Sequence, residues 1–134
     1  MRQEIYAKIK ERLQAEVPEL QHIDLWNRNV EFLDQEEAWA RPAAFIEFMP
    51  ITWQPYVSRT VYKGSAKIQI HIVTDWDGTD TDCLSLGDKV AKALTGLSGE
   101  KFYSFDMAAT YTNHNHEEII ENIEEFSYKC IRPQ

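Results

Sequence analysis

Two histidines one residue apart, His114 and His116, are the residues of this sequence whose spacing could hold a metal ion, and Glu117 and Glu118 follow them directly. A His-x-His pair on a strand can supply two zinc ligands, and a glutamate oxygen can supply a third. The same stretch is rich in Asn and His, which tolerate turn conformations between strands. We favour a polar turn, and the alternative is a metal site formed by His114, His116 and Glu117.

A second acidic pattern, Asp75-x-Asp77-Gly78-x-Asp80-x-Asp82, resembles a calcium loop. Such a loop requires Gly at its sixth position and Glu at its twelfth, and this run has neither at the required spacing. A helical pattern follows, so Thr79 or Asp80 is predicted to cap that helix, with the acids near the positive end of its dipole. The run therefore predicts a helix start and no calcium site.

The sequence contains none of the familiar motifs of nucleophilic catalysis. There is no Gly-x-Ser-x-Gly elbow, no Gly-rich phosphate loop and no His-Glu-x-x-His helix. Cys83 and Cys130 lack Cys-x-x-Cys spacing, which predicts two reduced thiols. His71 is predicted to face outward on a strand, as a solvated or interface side chain. We predict no enzymatic activity and no cofactor.

The length and the charge of the chain further restrict the classes of protein to which it could belong. The 134 residues fit one domain, 1–134, since domains run to roughly 100–150 residues. The net charge is −8, with 14 Lys and Arg scattered among 22 acids, and this balance disfavours tight binding of duplex DNA. No apolar run approaches the roughly 20 residues of a membrane span, and the N-terminus lacks the apolar core of a signal peptide. We expect a cytoplasmic chain without a membrane partner.

The periodicity predicts an α+β fold with a mainly antiparallel sheet and two helices packed on one face. Residues 3–17 form the first helix, and a helical stripe from Leu86 to Leu97 forms the second. Short strands are predicted in HIDLWN and PAAFIEF, a long connection or partial hairpin in 50–65, and a strand from Ala66 to Ile72. An alternating strand carries Tyr103, Phe105, Met107, Ala109 and Tyr111, and a closing strand carries Phe126, Tyr128 and Cys130. The expected core comprises Ile68, Ile70, Ile72, Val90, Leu94, Phe105 and Met107.

The connection contains the best candidates for a binding surface. Trp53, Tyr56 and Tyr62 are interleaved with Arg59 and Lys63, a composition typical of interface hot spots. Trp53 could equally pack on the sheet, whereas Tyr56 and Arg59 are predicted to be exposed. The predicted interface is Trp53, Tyr56, Arg59 and Tyr62.

The layout resembles the tail-terminator, or tail-completion, proteins of long-tailed phages and prophages. The resemblance rests on the N-terminal helix, the strand PAAFIEF and the segment YKGSAKIQIHIVTDW, followed by the helix LGDKVAKALTGL, the strand FYSFDMAATYT and the closing strand EEFSYKC. It implies a structural role without catalytic residues. The chain would form a ring, usually hexameric, at the head-proximal end of the tail, and would contact tail-tube and head-joining proteins.

In such a ring, carboxylates facing the lumen would repel phosphate, so that DNA passes without tight binding. Candidates for that surface are Glu117, Glu118, Glu121 and the stretch Asp34–Glu37. The chain would reside in the cytoplasm of the bacterial host during assembly and in the virion tail of an active phage. Two alternatives remain: a small metal-binding protein or metal-dependent enzyme that uses His114, His116 and a glutamate, and a bacterial protein of the same fold with another partner.

Overall fold

The computed structural model describes residues 1–27, 39–76, 81–113 and 118–133. Helix α1 spans Arg2–Glu16, and its side chains Ile5, Ile9 and Leu13 are fully buried. These residues recur every four positions, so they lie on one side of the helix. The apolar stripe predicted from the sequence is confirmed.

In the described part of the chain, five strands form one sheet. They are β1 (His22–Leu25), β2 (Ala43–Tyr56), β3 (Val61–Asp75), β4 (Phe102–Asn113) and β5 (Ile119–Pro133), arranged in the order β1-β2-β3-β5-β4. Only β1 and β2 are parallel within the described residues; the other neighbouring pairs are antiparallel. The mainly antiparallel α+β prediction is confirmed.

Of the two interpretations of 50–65, the hairpin is confirmed and the long connection is wrong, because these residues extend β2 and β3 into a long hairpin. Pairing continues from Ile51 opposite Ala66 to Tyr56 opposite Val61. Two prolines and a glycine suggested a loop. Pro50 lies in a register shift between Phe48 and Ile51, where proline is tolerated because the ladder is interrupted there.

Both helices cover the same face of the sheet. Helix α2 spans Asp82–Leu94 and buries Leu86, Val90 and Leu94. The shared core also contains side chains of α1 and the predicted β3 residues, and its largest members are Phe102, Phe105, Phe126, Tyr128, Ile5, Ile9, Leu13, Ile46, Ile68, Ile70 and Ile72. The alternation Phe126, Tyr128, Cys130 is confirmed as a buried row on β5.

Strand β4 departs from the alternation predicted for it. Its register against β5 shifts between Tyr103 and Asp106, and again between Met107 and Ala109. Each shift is an irregularity that changes which side chains face the core. Phe105 is therefore buried as predicted, but the assignment of Met107 to the core is wrong, because its side chain is 59% exposed.

Helix α2 begins later than predicted. Its N-cap residue is Thr81, which makes no side-chain capping hydrogen bond, whereas Thr79 or Asp80 was expected to cap it. Both of those residues lie outside the described residues. Asp82 is the acid in the first turn of the helix, as the dipole argument requires.

Candidate assembly surface

The most exposed feature of the sheet is the tip of the β2–β3 hairpin. No residue between Gln54 and Lys63 is buried. Tyr56 is 52% and Val57 is 60% exposed, and Arg59 is also exposed. The predicted exposure of Tyr56 and Arg59 is confirmed. Large side chains that remain uncovered at a projecting turn are available to a partner.

The turn has an unusual backbone. Val57, Ser58 and Arg59 have φ values of 50°, 52° and 65°. This left-handed region is uncommon for residues other than glycine, and particularly for a β-branched one such as Val57. Thr60 closes the turn by donating from its N–H and its hydroxyl to the carbonyl of Val57, at 3.0 and 2.6 Å. The turn therefore presents Tyr56 and Arg59 in a defined orientation.

Trp53 belongs to the margin of the core rather than to the exposed tip. It is half-buried, packs against the core cluster and lies opposite Gly64. A Cβ at Gly64 would lie 2.9 Å from the Trp53 ring and 2.7 Å from Cys130 Sγ, so only glycine fits beside this indole. The guanidinium of Arg132 lies 4.6 Å from the centre of the Trp53 ring.

Cations accompany the other aromatic side chains of the hairpin. Lys63 Nζ lies 4.1 Å from the centre of the Tyr56 ring, a distance typical of a cation–π contact. Tyr62 is half-buried and pairs with Pro55 and Arg132 on the neighbouring strands. Of the four residues predicted for an interface, Tyr56 and Arg59 are thus the freely exposed pair.

Strand β4 is the long edge of the sheet, since β1 at the other edge has only four residues. Tyr103 and Tyr111 are 39% and 41% exposed on this strand. The stretch from Ala109 to Asn113 pairs regularly with β5, and the remainder is broken by the two register shifts. Bulges of this kind are typical of edge strands that avoid uncontrolled pairing.

The prediction of a solvated or interface role for His71 is wrong, because the side chain is buried at the centre of the sheet face opposite the helices. His71 is 4% exposed and lies under Trp26, with 3.8 Å between ring centres and 4° between planes. Its Nε2 lies 2.7 Å from Glu47 Oε1, and its Nδ1 contacts Glu121 Oε2. We name these residues (Glu47, His71, Glu121 and Trp26) the histidine cluster.

The histidine cluster connects the whole sheet. Glu47 lies on β2, His71 on β3 and Glu121 on β5, while Asn113 of β4 donates to Glu121 at 3.3 Å. Trp26 follows β1 directly. The proposed lumen-facing role of Glu121 is wrong, since this residue is 4% exposed and bound to His71. Sequence reasoning missed the cluster because the closing strand was predicted as EEFSYKC, which begins after Glu121, whereas β5 begins at Ile119.

Two further buried polar residues, Glu124 and Asn122, lie beneath α2 on the sheet face that the helices cover. Glu124 accepts from the Thr110 hydroxyl at 2.6 Å, and Asn122 accepts from Thr112 at 2.6 Å. Burial raises the pKa of Glu124, and the hydrogen bond from Thr110 opposes that rise. Gly87 of α2 faces this carboxylate, since a Cβ there would lie 3.1 Å from Glu124 Oε1.

The cysteines are buried free thiols, as predicted. Burial raises the pKa of Cys130, which keeps the thiol protonated and unreactive. Cys83 lines an open cleft of about 500 Å³ with Thr74, Asp75 and Asp82 at the start of α2. Asp75 is bound there by Arg41 at 2.6 Å, so it serves as an ion-pair partner.

The residues of the metal hypothesis, His114, His116 and Glu117, lie outside the described residues, as do the acids Asp34–Glu37. Among residues 1–27, 39–76, 81–113 and 118–133, no group of three His, Cys, Asp or Glu side chains is arranged to hold a metal ion. Glu118 is described and exposed. No helix in the described part of the chain has the length and apolar character needed to span a bilayer.

The fold is similar to that of a solved chain from the virion of a native gene transfer agent (GTA) particle. The TM-score is 0.65 and the sequence identity is 11%, and the alignment covers 95% of this chain and 94% of that chain. At this identity the likeness concerns the fold. No protein-family model matches the sequence, and no curated protein matches it.

Proposed function

We propose that this chain is a structural protein of a phage-like particle, and specifically a tail terminator or tail-completion component. The observation that carries the proposal is the fold shared with a GTA virion chain over 95% of this chain and 94% of the other. The order of elements that suggested tail-terminator proteins is also present in the folded chain.

The protein would act by assembly, and the β2–β3 hairpin would be its main contact. The hairpin tip projects beyond the core and presents Tyr56, Val57 and Arg59 to solvent. Tyrosine and arginine are over-represented among the residues that dominate binding energies at protein interfaces. Because the turn has a defined backbone, little conformational entropy would be lost when a partner covers it.

The assembly would be a ring of identical subunits, a hexamer in the proposed tail-terminator role, at the head-proximal end of the tail. Its further partners would be tail-tube and head-joining proteins. Since each subunit carries a net charge of −8, the ring as a whole would repel duplex DNA, which would pass without being held. The exposed Glu118 is a candidate for the lumen surface. Assembly would take place in the host cytoplasm, before the protein becomes part of the particle.

To test this function, the gene is deleted from the phage or prophage genome that encodes it, and the particles are examined by electron microscopy. We expect overlong or headless tails, restored by the wild-type gene. Tyr56→Ala with Arg59→Glu should leave the fold intact and fail to restore normal tails. The matched control is Leu84→Ala with Lys8→Glu, which shortens one exposed apolar side chain and reverses one exposed charge on the helices. This control should restore normal tails.

Two results would contradict the proposal. If particles from the deletion strain have normal tails and contain DNA, the chain is no tail-completion protein, and a bacterial protein of this fold with another partner becomes the better interpretation. If the Tyr56/Arg59 variant restores tails as well as the control does, the hairpin tip is not the contact surface.

A further inference from the structure

The hairpin tip lies at an end of the sheet where basic side chains are concentrated. Tyr62 pairs with Arg132, and Tyr103 pairs with Lys129. The start of α1 lies at the same end, where Arg2, Lys101 and Arg132 line one cleft. We name this end the basic tip; its members are Arg2, Arg59, Lys63, Lys101, Lys129 and Arg132, all exposed. Acids also lie near these cations: Glu4 accepts from the backbone N–H of Lys101, Glu100 precedes Lys101, and Asp106 lines a cleft with Lys129.

Acidic side chains are concentrated at the opposite end of the sheet, where β3 ends and β5 begins. Asp75 is the last residue of β3 and pairs with Ile119. We name this end the acidic end; its members are Glu16, Glu19, Asp75, Asp82 and Glu118, all exposed. Arg41 and Lys89 lie among them, in ion pairs with Asp75 and Glu19. The 15 residues of β3 separate the two ends by roughly 45–50 Å.

We infer that the basic tip of one copy docks on the acidic end of a second copy. This inference rests on the proposed function, because it specifies the contact that would build the ring. Two basic tips repel each other, so a symmetric tip-to-tip dimer is electrostatically disfavoured. The complementary surface must then be a different part of the molecule. A contact between unlike surfaces of identical subunits is head-to-tail; it forms a ring when the rotation between neighbours closes and an open filament when it does not.

A protein partner fits the basic tip better than duplex DNA does. Tyr56 and Val57 are exposed large hydrophobic residues at the basic tip. An exposed tyrosine can act as an anchor that inserts into a pocket of a protein partner. Two of its cations are held against rings, Lys63 on Tyr56 and Arg132 on Trp53. Phosphate binding instead needs many cations on a surface that does not repel DNA, and the chain as a whole carries a charge of −8.

A charge-exchange experiment tests the contact. One variant reverses the basic tip with Arg59→Glu, Lys63→Glu and Arg132→Glu. The other reverses the acidic end with Glu16→Lys, Asp82→Lys and Glu118→Lys. Each variant has lost one half of the contact, whereas a mixture of the two restores complementary surfaces in two ways. The native tip of the acidic-end variant faces the native acidic end of the tip variant, and the altered tip faces the altered end. Sedimentation velocity at low salt measures association of the wild type, each variant alone and the equimolar mixture.

We expect each variant alone to associate roughly tenfold more weakly than the wild type, and the mixture to recover that loss, since three exposed ion pairs together contribute about this factor. Added salt should weaken the wild type and the mixture alike. If the triple tip variant unfolds, Arg59→Glu with Lys101→Glu replaces it, because neither residue takes part in the two cation–π contacts. A mixture that associates no better than the separate variants overturns the inference. So does a wild type that stays monomeric at its highest soluble concentration.

Two further results separate this inference from its alternatives. If the wild type binds a DNA duplex and the tip variant does not, the basic tip is a DNA surface and the inference is wrong. The particle experiment gives an independent outcome for the function. If the deletion strain has normal tails, the proposed function is wrong, whatever the charge-exchange experiment gives. If the tails are defective but charge exchange fails, only the proposed contact is wrong.

Discussion

Replacing His71 with Phe tests whether the histidine cluster holds the sheet together. Phe preserves a flat ring against Trp26 but leaves Glu121, which is 4% exposed, without its imidazole partner. Leaving a buried hydrogen-bonding group without one of its partners costs about 1–3 kcal/mol, and Asn113 remains as a donor to Glu121. For a chain of 134 residues this corresponds to a decrease in melting temperature of roughly 4–12 °C.

Urea denaturation gives the free energy of unfolding of His71→Phe, and two further variants make the result interpretable. His22→Phe is the matched control: its imidazole is half-buried, faces Trp39 and lies 3.8 Å from the exposed Asp24 carboxylate. It should cost less than about 1 kcal/mol. Adding Glu121→Gln to His71→Phe replaces the carboxyl that has lost its imidazole partner with an amide, and should restore at least half of the lost stability. If His71→Phe is as stable as the control, or if Glu121→Gln restores nothing, the cluster does not stabilise the fold as argued.

Four other expectations follow from the packing and the charges. Burial raises the pKa of Tyr128 to about 12, above the value of about 10 in the unfolded chain. The free energy of unfolding should therefore fall by about 2–3 kcal/mol between about pH 10 and pH 12. Urea titrations of Tyr128→Phe should lack this part of the pH dependence, and an unchanged pH dependence would contradict the burial of the Tyr128 hydroxyl. Gly64→Ala should cost about 1–3 kcal/mol by calorimetry, because its Cβ would meet two side chains at 2.7 Å. Ile70→Ala should cost about 2–5 kcal/mol, since Ile70 is fully buried, and full tolerance of Ile70→Asp would refute its place in the core. Elemental analysis should find no stoichiometric metal; one zinc ion per chain that is lost in His114→Ala/His116→Ala would instead establish the metal site.

The fold could be predicted where one periodic signal dominated. In α1 the four-residue spacing from Ile5 to Leu13 admits only one buried side, and in β3 the alternation of Ile68, Ile70 and Ile72 does the same. In β4 the alternation suggested one face for Phe105 and Met107, but the register shifts place only Phe105 in the core. Irregularities of this type depend on the partner strand, so the pattern of a single strand does not reveal them.

The candidate surfaces were predictable to different degrees. The exposure of Tyr56 and Arg59 follows from a local sequence rich in turn-forming and polar residues. The histidine cluster does not, because Glu47, His71 and Glu121 come from three strands that are distant in sequence. Each of these residues alone has the polarity of a solvent-facing side chain. Only the sheet order, which places β3 between β2 and β5, shows that both carboxyl groups contact the same imidazole.

The irregular edge of β4 has a consequence for the protein before it meets its partners. A regular edge strand would let copies join by backbone hydrogen bonds without limit, as in fibrils. On β4 only the five residues from Ala109 to Asn113 pair regularly with β5, and Ser104 has a φ of 55°, so the straight part of this edge is short. The edge of β4 therefore disfavours fibril formation between newly synthesised copies. Association is left to side-chain contacts, whose specificity depends on the surfaces that meet.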